Sequence, residues 1–216
     1  MSLIFDDATH TYTLDGQVVP SVTGILKASG LIDFTGIPES ILEAARVRGT
    51  TVHQAIAYSN DGDLDLEQFR IDFPDYVGYL EGWLKFCDQR KFTAVLNECR
   101  IASRRHQVAG TIDCLGELDG QAVLLDYSTG IPAHVAKDLQ TAAYLSFALD
   151  MSIDADADPR LVAFFQRHAL IRRYAVSLNR DGSFGLHRYD DPGDFRKFLA
   201  LAEAQRIVRA RRVEVA

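Results

Sequence analysis

The sequence predicts an α/β domain, bordering on α+β, in which helices flank a central mixed β-sheet. Three observations carry this. Helical and strand-like patterns alternate along the chain and do not fall into separate blocks. The run "QAVLLDYS" (121–128) is almost continuously apolar, as suits a strand buried on both faces. Asp-Gly pairs at 15–16, 119–120 and 181–182 sit between strand-like runs, where such pairs mark tight hairpin turns.

The opening "IFDDATHTYTLDGQVVP" alternates apolar and polar residues around Asp15-Gly16 and predicts an N-terminal hairpin. "SVTGILKAS" follows Pro20 as a short helix with Ser21 as N-cap and Gly30 as its stop. Helical patterns then cover about 39–58, weakened at Gly49, and about 73–91. In the second, Tyr76, Leu80, Trp83, Leu84 and Cys87 form one stripe, which reads as core packing. "TAVLNECRIAS" and "QVAGTIDCLGEL" are strands. A helix is expected at about 133–149, a strand near 161–165, a hairpin over 171–189 and a final helix over about 192–211. No repeat or linker divides the chain, so one domain spans 1–216: hairpin and helices to 92, a core at 93–150, and a C-terminal hairpin and helix at 160–216.

Hydrophobic residues make up 47% and charged residues 25% of the 216, the balance of an ordinary globular protein. No apolar run nears the roughly 18 residues of a membrane span and no signal peptide is evident, so no membrane partner and a cytoplasmic location are expected. Cys87, Cys99 and Cys114 are widely spaced without a C-x-x-C pattern, so they read as small buried hydrophobes; no iron–sulfur cluster or zinc site is expected. The net charge of −7 argues against a general polyanion coat, but basic clusters at 89–92, 99–106, 166–174 and 206–212 leave room for a local basic groove.

The central hairpin yields a register. With Asp119-Gly120 as a two-residue turn, Leu118 faces Gln121 and, counting back, Asp113 faces Asp126. Directly opposed side chains have Cβ atoms about 4.5–5.5 Å apart. Two ionised carboxylates there repel, so either one holds a proton, a divalent cation lies between them, or one caps a turn in solvent. Ser128 shares the face of Asp126. On the next helix, Lys137, Gln140 and Tyr144 recur along one stripe. His53 lies in "RGTTVHQA", where a structural role and a ligand role both stay open.

The ordered set "RGTTVHQA", "NECRIAS", "VAGTIDCLGELDGQAVLLDYSTG" and "LQTAAYLSFAL" resembles the PD-(D/E)XK nuclease superfamily, in its RecB-like and phage-type exonuclease branch. The likeness covers roughly residues 46–149. It implies a restriction-endonuclease-like core and a Mg²⁺- or Mn²⁺-dependent deoxyribonuclease in which a metal-activated water hydrolyses phosphodiesters, as an exonuclease. By this resemblance His53, Asp113, Asp126 and the carbonyl of Tyr127 are metal ligands, Glu98 matches a frequent acidic residue, and Gln140 and Tyr144 orient the site and contact the strand. DNA is the implied partner, in recombination or phage replication. Arg104, Arg105, Arg172 and Arg173 lie in basic segments suited to guiding its backbone, with Tyr144 available for stacking.

The departure falls at Ser128, where the resemblance calls for a lysine. Lys137, one turn before Gln140, is long enough to reach towards that position and take over the charge. Two readings follow from this: a nuclease with a relocated lysine, or an inactive nuclease fold that binds DNA or a protein partner.

Overall fold

A computed structural model of the chain describes residues 2–130, 135–155 and 157–214. The central sheet has five strands in the order β4-β5-β6-β7-β8: Thr93–Ser103, Val108–Leu118, Gln121–Ser128, Arg172–Leu178 and Phe184–Tyr189. The β6–β7 pair is parallel and the others are antiparallel, so the sheet is mixed as expected. A separate antiparallel sheet comprises β1 (Leu3–Asp6), β2 (Thr11–Leu14) and β3 (Gln17–Val19). The expected N-terminal hairpin about Asp15-Gly16 is thus β2–β3 of a three-stranded meander.

Helices cover both faces. On one side α1 (Val22–Ala28), α5 (Val135–Ser152), α6 (Pro159–Arg167) and α7 (Asp194–Glu214) pack on Leu96, Ile101, Ile112 and Leu124. On the other, α2 (Glu39–Asp61), α3 (Leu66–Asp72) and α4 (Val77–Gln89) bury Val52, Ile56, Phe69, Trp83 and Phe86 against Val123, Leu125, Tyr127 and Val176. This accounts for the apolar continuity of β6, since both its faces are covered. The stripe on α4 is core, as its spacing indicates. Cys114 is buried, and Cys87 and Cys99 are free thiols packed against the core.

Local signals place most ends. Ser21 accepts the Gly24 amide at the start of α1, and Gly30 beyond it has φ +79°. The segment near 161–165 is not a strand but α6. Asp158 caps the Arg160 amide and Pro159 occupies the first turn, a helix start that outweighs the strand propensity of "LVAFF". The first residues of the expected 133–149 helix lie outside the described residues. Two contacts seat the N-terminal sheet on β5: the Ala109 amide donates to Pro20 O, and Tyr12 Oη lies 2.8 Å from Thr111 Oγ1.

Two helical glycines separate packing from propensity. A Cβ on Gly78 would lie 1.8 Å from the Arg180 carbonyl oxygen, whereas one on Gly49 meets nothing within 4 Å. Gly78→Ala is expected to destabilise by about 1–3 kcal/mol. Gly49→Ala is expected to stabilise by about 0.4–1 kcal/mol through the unfolded state. Urea denaturation of the two variants distinguishes the cases by sign.

Candidate metal centre

The site forms where the β-ladder fails. The β5–β6 register runs from Leu118↔Gln121 to Cys114↔Leu125 and then stops, so Asp113 and Asp126 are the first unpaired positions beyond it. On the other side, Asn97 faces Cys114 and Cys99 faces Ile112, but Glu98 and Asp113 between them are not paired. The pleat slips there. Ile112 belongs to the core under α5, while Cys114, two residues on, belongs to the core under α2. Glu98 accommodates the slip with φ +46°, an uncommon value for a residue with a side chain. Irregularities of this kind re-aim side chains out of a sheet.

Asp113 thereby gains two partners. One carboxylate oxygen accepts the Tyr127 amide at 2.9 Å and replaces the missing strand bond; the other lies 3.7 Å from His53 Nδ1. Glu98 Oε1 lies 3.6 Å from the same nitrogen. His53 Nε2 donates to Tyr127 O at 3.1 Å, and its ring packs on that of Tyr127. With Nε2 protonated, the Nδ1 lone pair faces Glu98 and Asp113. The three side chains offer ligand atoms all within 4.8 Å of one another.

Ligand atoms at about 2.0–2.1 Å from one small divalent cation can be at most about 4.2 Å apart, so these three would need a small inward rotation to hold an ion together. The cluster takes in Glu98 beside the expected His53 and Asp113 and does not include Asp126, while the Tyr127 carbonyl accepts from His53 Nε2.

Asp126 is buried, with its side chain 3% exposed, and is ion-paired to Lys137 from the first turns of α5. Lys137 therefore does reach back to the strand whose end carries Ser128. Ser128 itself is half-buried and pairs across the parallel ladder with Ser177. Gln140 and Tyr144 are both buried; Gln140 Nε2 donates to Tyr144 Oη at 3.0 Å and to Thr23 Oγ1 at 3.4 Å. Tyr144 lies against Gly110, where a Cβ would fall 2.6 Å from its ring, so it is packed in the core and not presented for stacking. Of the polar stripe on α5, Gln140 and Tyr144 thus meet α1 at Thr23, while Lys137 meets Asp126.

Among the four arginines, Arg173 is buried and bound to Asp194 and to the Asp138 carbonyl, which makes it a link between β7, α5 and α7. Arg104 is exposed and paired with Asp15, Arg105 is exposed, and Arg172 is half-buried at the start of β7. Two contacts lie beyond the sequence reading. Arg48 on α2 donates to Thr129 Oγ1 at 3.1 Å, and Thr23 joins the Gln140–Tyr144 pair. Neither has a sequence signal, because each depends on how a helix docks.

Charge is crowded at the gap. Burial raises the Asp113 carboxyl to about 7, opposed by His53 and reinforced by Asp126 and Glu98. For His53, burial acts to lower the value, but Asp113, Glu98 and Asp126 together raise it to about 9. For Lys137, burial likewise acts to lower it, and Asp126 and Asp113 outweigh this and hold it above the usual lysine value.

No protein-family profile matches this sequence, and no curated protein matches it. Among solved structures, a candidate exonuclease from Eubacterium rectale aligns over 93% of this chain and 77% of its own, at 13% identity and a TM-score of 0.46. The structure of SSO0001 aligns over 73% and 71%, at 13% identity and a TM-score of 0.33. Similarity at this level follows the general course of the chain and does not extend to chemistry.

The shifts give a signed expectation for metal-free protein. Asp113 and His53 both have raised values in the folded state, so each contributes most stability below its unfolded value and loses it as pH rises through the folded one. Thermal stability in EDTA is expected to fall from about pH 4 to pH 9. Asp113→Asn keeps an acceptor for the Tyr127 amide and should flatten the lower part of that fall. Melting curves across this range, for both proteins, check it.

Proposed function

We propose that the protein is a divalent-metal-dependent DNA nuclease, acting as an exonuclease, with Lys137 in place of the lysine missing at Ser128. The observation that carries this reading is the cluster of His53, Glu98 and Asp113 at an interrupted ladder, with the Lys137–Asp126 pair beside it. A bound divalent cation at this cluster would supply Lewis-acid polarisation of a phosphodiester oxygen and a water of lowered pKa.

The residues have separable tasks. Asp113, fixed by the Tyr127 amide, and Glu98 hold the negative charge that attracts the cation. His53 contributes a neutral nitrogen whose direction is set by the Tyr127 carbonyl. Asp126 anchors the Lys137 ammonium at the mouth of the site, where a positive group offsets charge developing on a phosphate. Gln140 and Tyr144 fix α5, and with it Lys137, through Thr23. Ser128 adds a hydroxyl without charge. Exposed Arg105 and half-buried Arg172 supply cations for a passing backbone.

The second reading, an inactive fold that binds nucleic acid or protein, is favoured by one observation: the lysine at the site, Lys137, is committed to a carboxylate. A cleavage assay on labelled single- and double-stranded DNA separates the two. The nuclease reading expects cleavage with Mg²⁺ or Mn²⁺ that disappears with EDTA and with Asp113→Ala. Lys137→Ala should lower the rate by about 10²–10³. An inert wild-type chain that gains activity on Ser128→Lys would establish the inactive reading instead.

A further inference from the structure

Arg48 is held at one edge of its guanidinium and left open at the other. Its Nε donates to Thr129 Oγ1 at 3.1 Å, and its guanidinium carbon lies 5.6 Å from the centroid of the Tyr79 ring. Thr129 and Tyr79 are buried, so both supports are fixed, and neither carries a counter-charge. Arg46, two residues earlier, is by contrast spent on Glu43. Among the described residues no carboxylate pairs with Arg48, and its two terminal nitrogens donate to no other group. The residue is half-buried. A cation is thereby kept in a set direction with its N–H fork still unused.

Two contacts set how far this fork stands from the metal centre. His53 Nε2 meets Tyr127 O, and Arg48 meets Thr129. On α2 the two residues are five apart, about 7.5 Å of helix. Tyr127 and Thr129 are two apart, at most about 7 Å of extended chain. The strides agree, so α2 runs beside the end of β6 and Arg48 lies one such step beyond His53. That step is the distance between neighbouring phosphates of one nucleic-acid strand.

We infer, resting on the nuclease reading of the His53, Glu98 and Asp113 cluster, that Arg48 binds the phosphate next to the one cut there. The charges divide accordingly. Glu98 and Asp113 answer a divalent cation, Asp126 answers Lys137, and Arg48 is left to answer the substrate. A guanidinium fork donates to two oxygens of one phosphodiester, which a point-like ammonium does not do. The neighbouring phosphate is not attacked, so Arg48 holds it equally before and during reaction. Such uniform binding is read in KM and not in kcat, the opposite of a group placed at developing charge.

The test uses Arg48→Gln, which keeps a donor for Thr129 and removes the charge. Binding of an octathymidylate is followed in EDTA by fluorescence anisotropy across a salt series. The variant is expected to lower the salt slope by about 0.7, one single-strand phosphate, and to bind about fivefold more weakly at about 0.1 M salt. Arg48→Lys should recover the slope. Thr129→Val, which removes the tether and leaves the cation, should also keep it. An equal loss of slope in Thr129→Val and Arg48→Gln would show that Arg48 only fastens α2, and overturns the inference, as does an unchanged slope in Arg48→Gln.

With Mn²⁺, Arg48→Gln should raise KM about fivefold and leave kcat within about twofold; a fall in kcat at constant KM counts against the assignment. A methylphosphonate at the linkage on one side or the other of the first cut should cost wild-type protein the same factor and the variant nothing further. Losses that add in full overturn the inference. Should the wild-type chain cut no strand, the nuclease reading fails by itself, and the slope in EDTA still decides whether Arg48 meets a phosphate.

Discussion

The structure turns on one missing pair in a β-ladder. Glu98 and Asp113 stand opposite each other yet exchange no backbone bonds, and Asp113 spends a side-chain oxygen on the Tyr127 amide instead. A regular sheet would alternate these side chains between two apolar faces, where a carboxylate has no place. The slip keeps Ile112 and Cys114 in their separate cores while delivering Glu98 and Asp113 to the same opening. Local irregularity is thus the means by which an apolar sheet carries a charged site.

That irregularity is held from several sides. Asn60, near the end of α2, accepts from Trp83 Nε1 and donates to Asn97 Oδ1, and Asn97 donates in turn to Asp61. This chain clamps α2 and α4 to β4 at the residue before Glu98. His53, two turns earlier on α2, is consequently fixed in distance from the gap. On the opposite face, Arg173 joins α5 and α7 through the Asp138 carbonyl and Asp194. An arginine placed so deep is expensive unless fully paired, and here its partners are the elements that hold Lys137 in position.

Much of this was legible in the sequence where local rules dominate. The Asp-Gly turn fixed the β5–β6 register as far as Cys114↔Leu125, since a two-residue turn leaves no freedom of count, but the ladder stops one position short of the expected Asp113–Asp126 pair. The β4–β5 connection has no such turn, so the position of Glu98 opposite Asp113 cannot be counted in the same way. The segment near 161–165 is a helix and not the expected strand because the Asp158–Pro159 start outweighs the strand propensity of the residues after it. Arg173, from its basic segment, and Tyr144, by the resemblance, are expected at the nucleic acid. Their burial follows from docking partners, Asp194 and Gly110, that lie distant in sequence.

Charge counting fits an uncharged side chain at Ser128. Three carboxylates, Glu98, Asp113 and Asp126, meet at the gap. Lys137 neutralises Asp126, which leaves two negative charges beside a histidine able to serve as a neutral ligand, the complement of one divalent cation. A second lysine at position 128 would leave a positive excess once such a cation was bound, and would compete with it beforehand. The half-buried serine, matched across the ladder by Ser177, keeps the strand end small and uncharged. The positive charge beside the gap then comes from α5, while the clustered ligand atoms come from α2, β4 and β5.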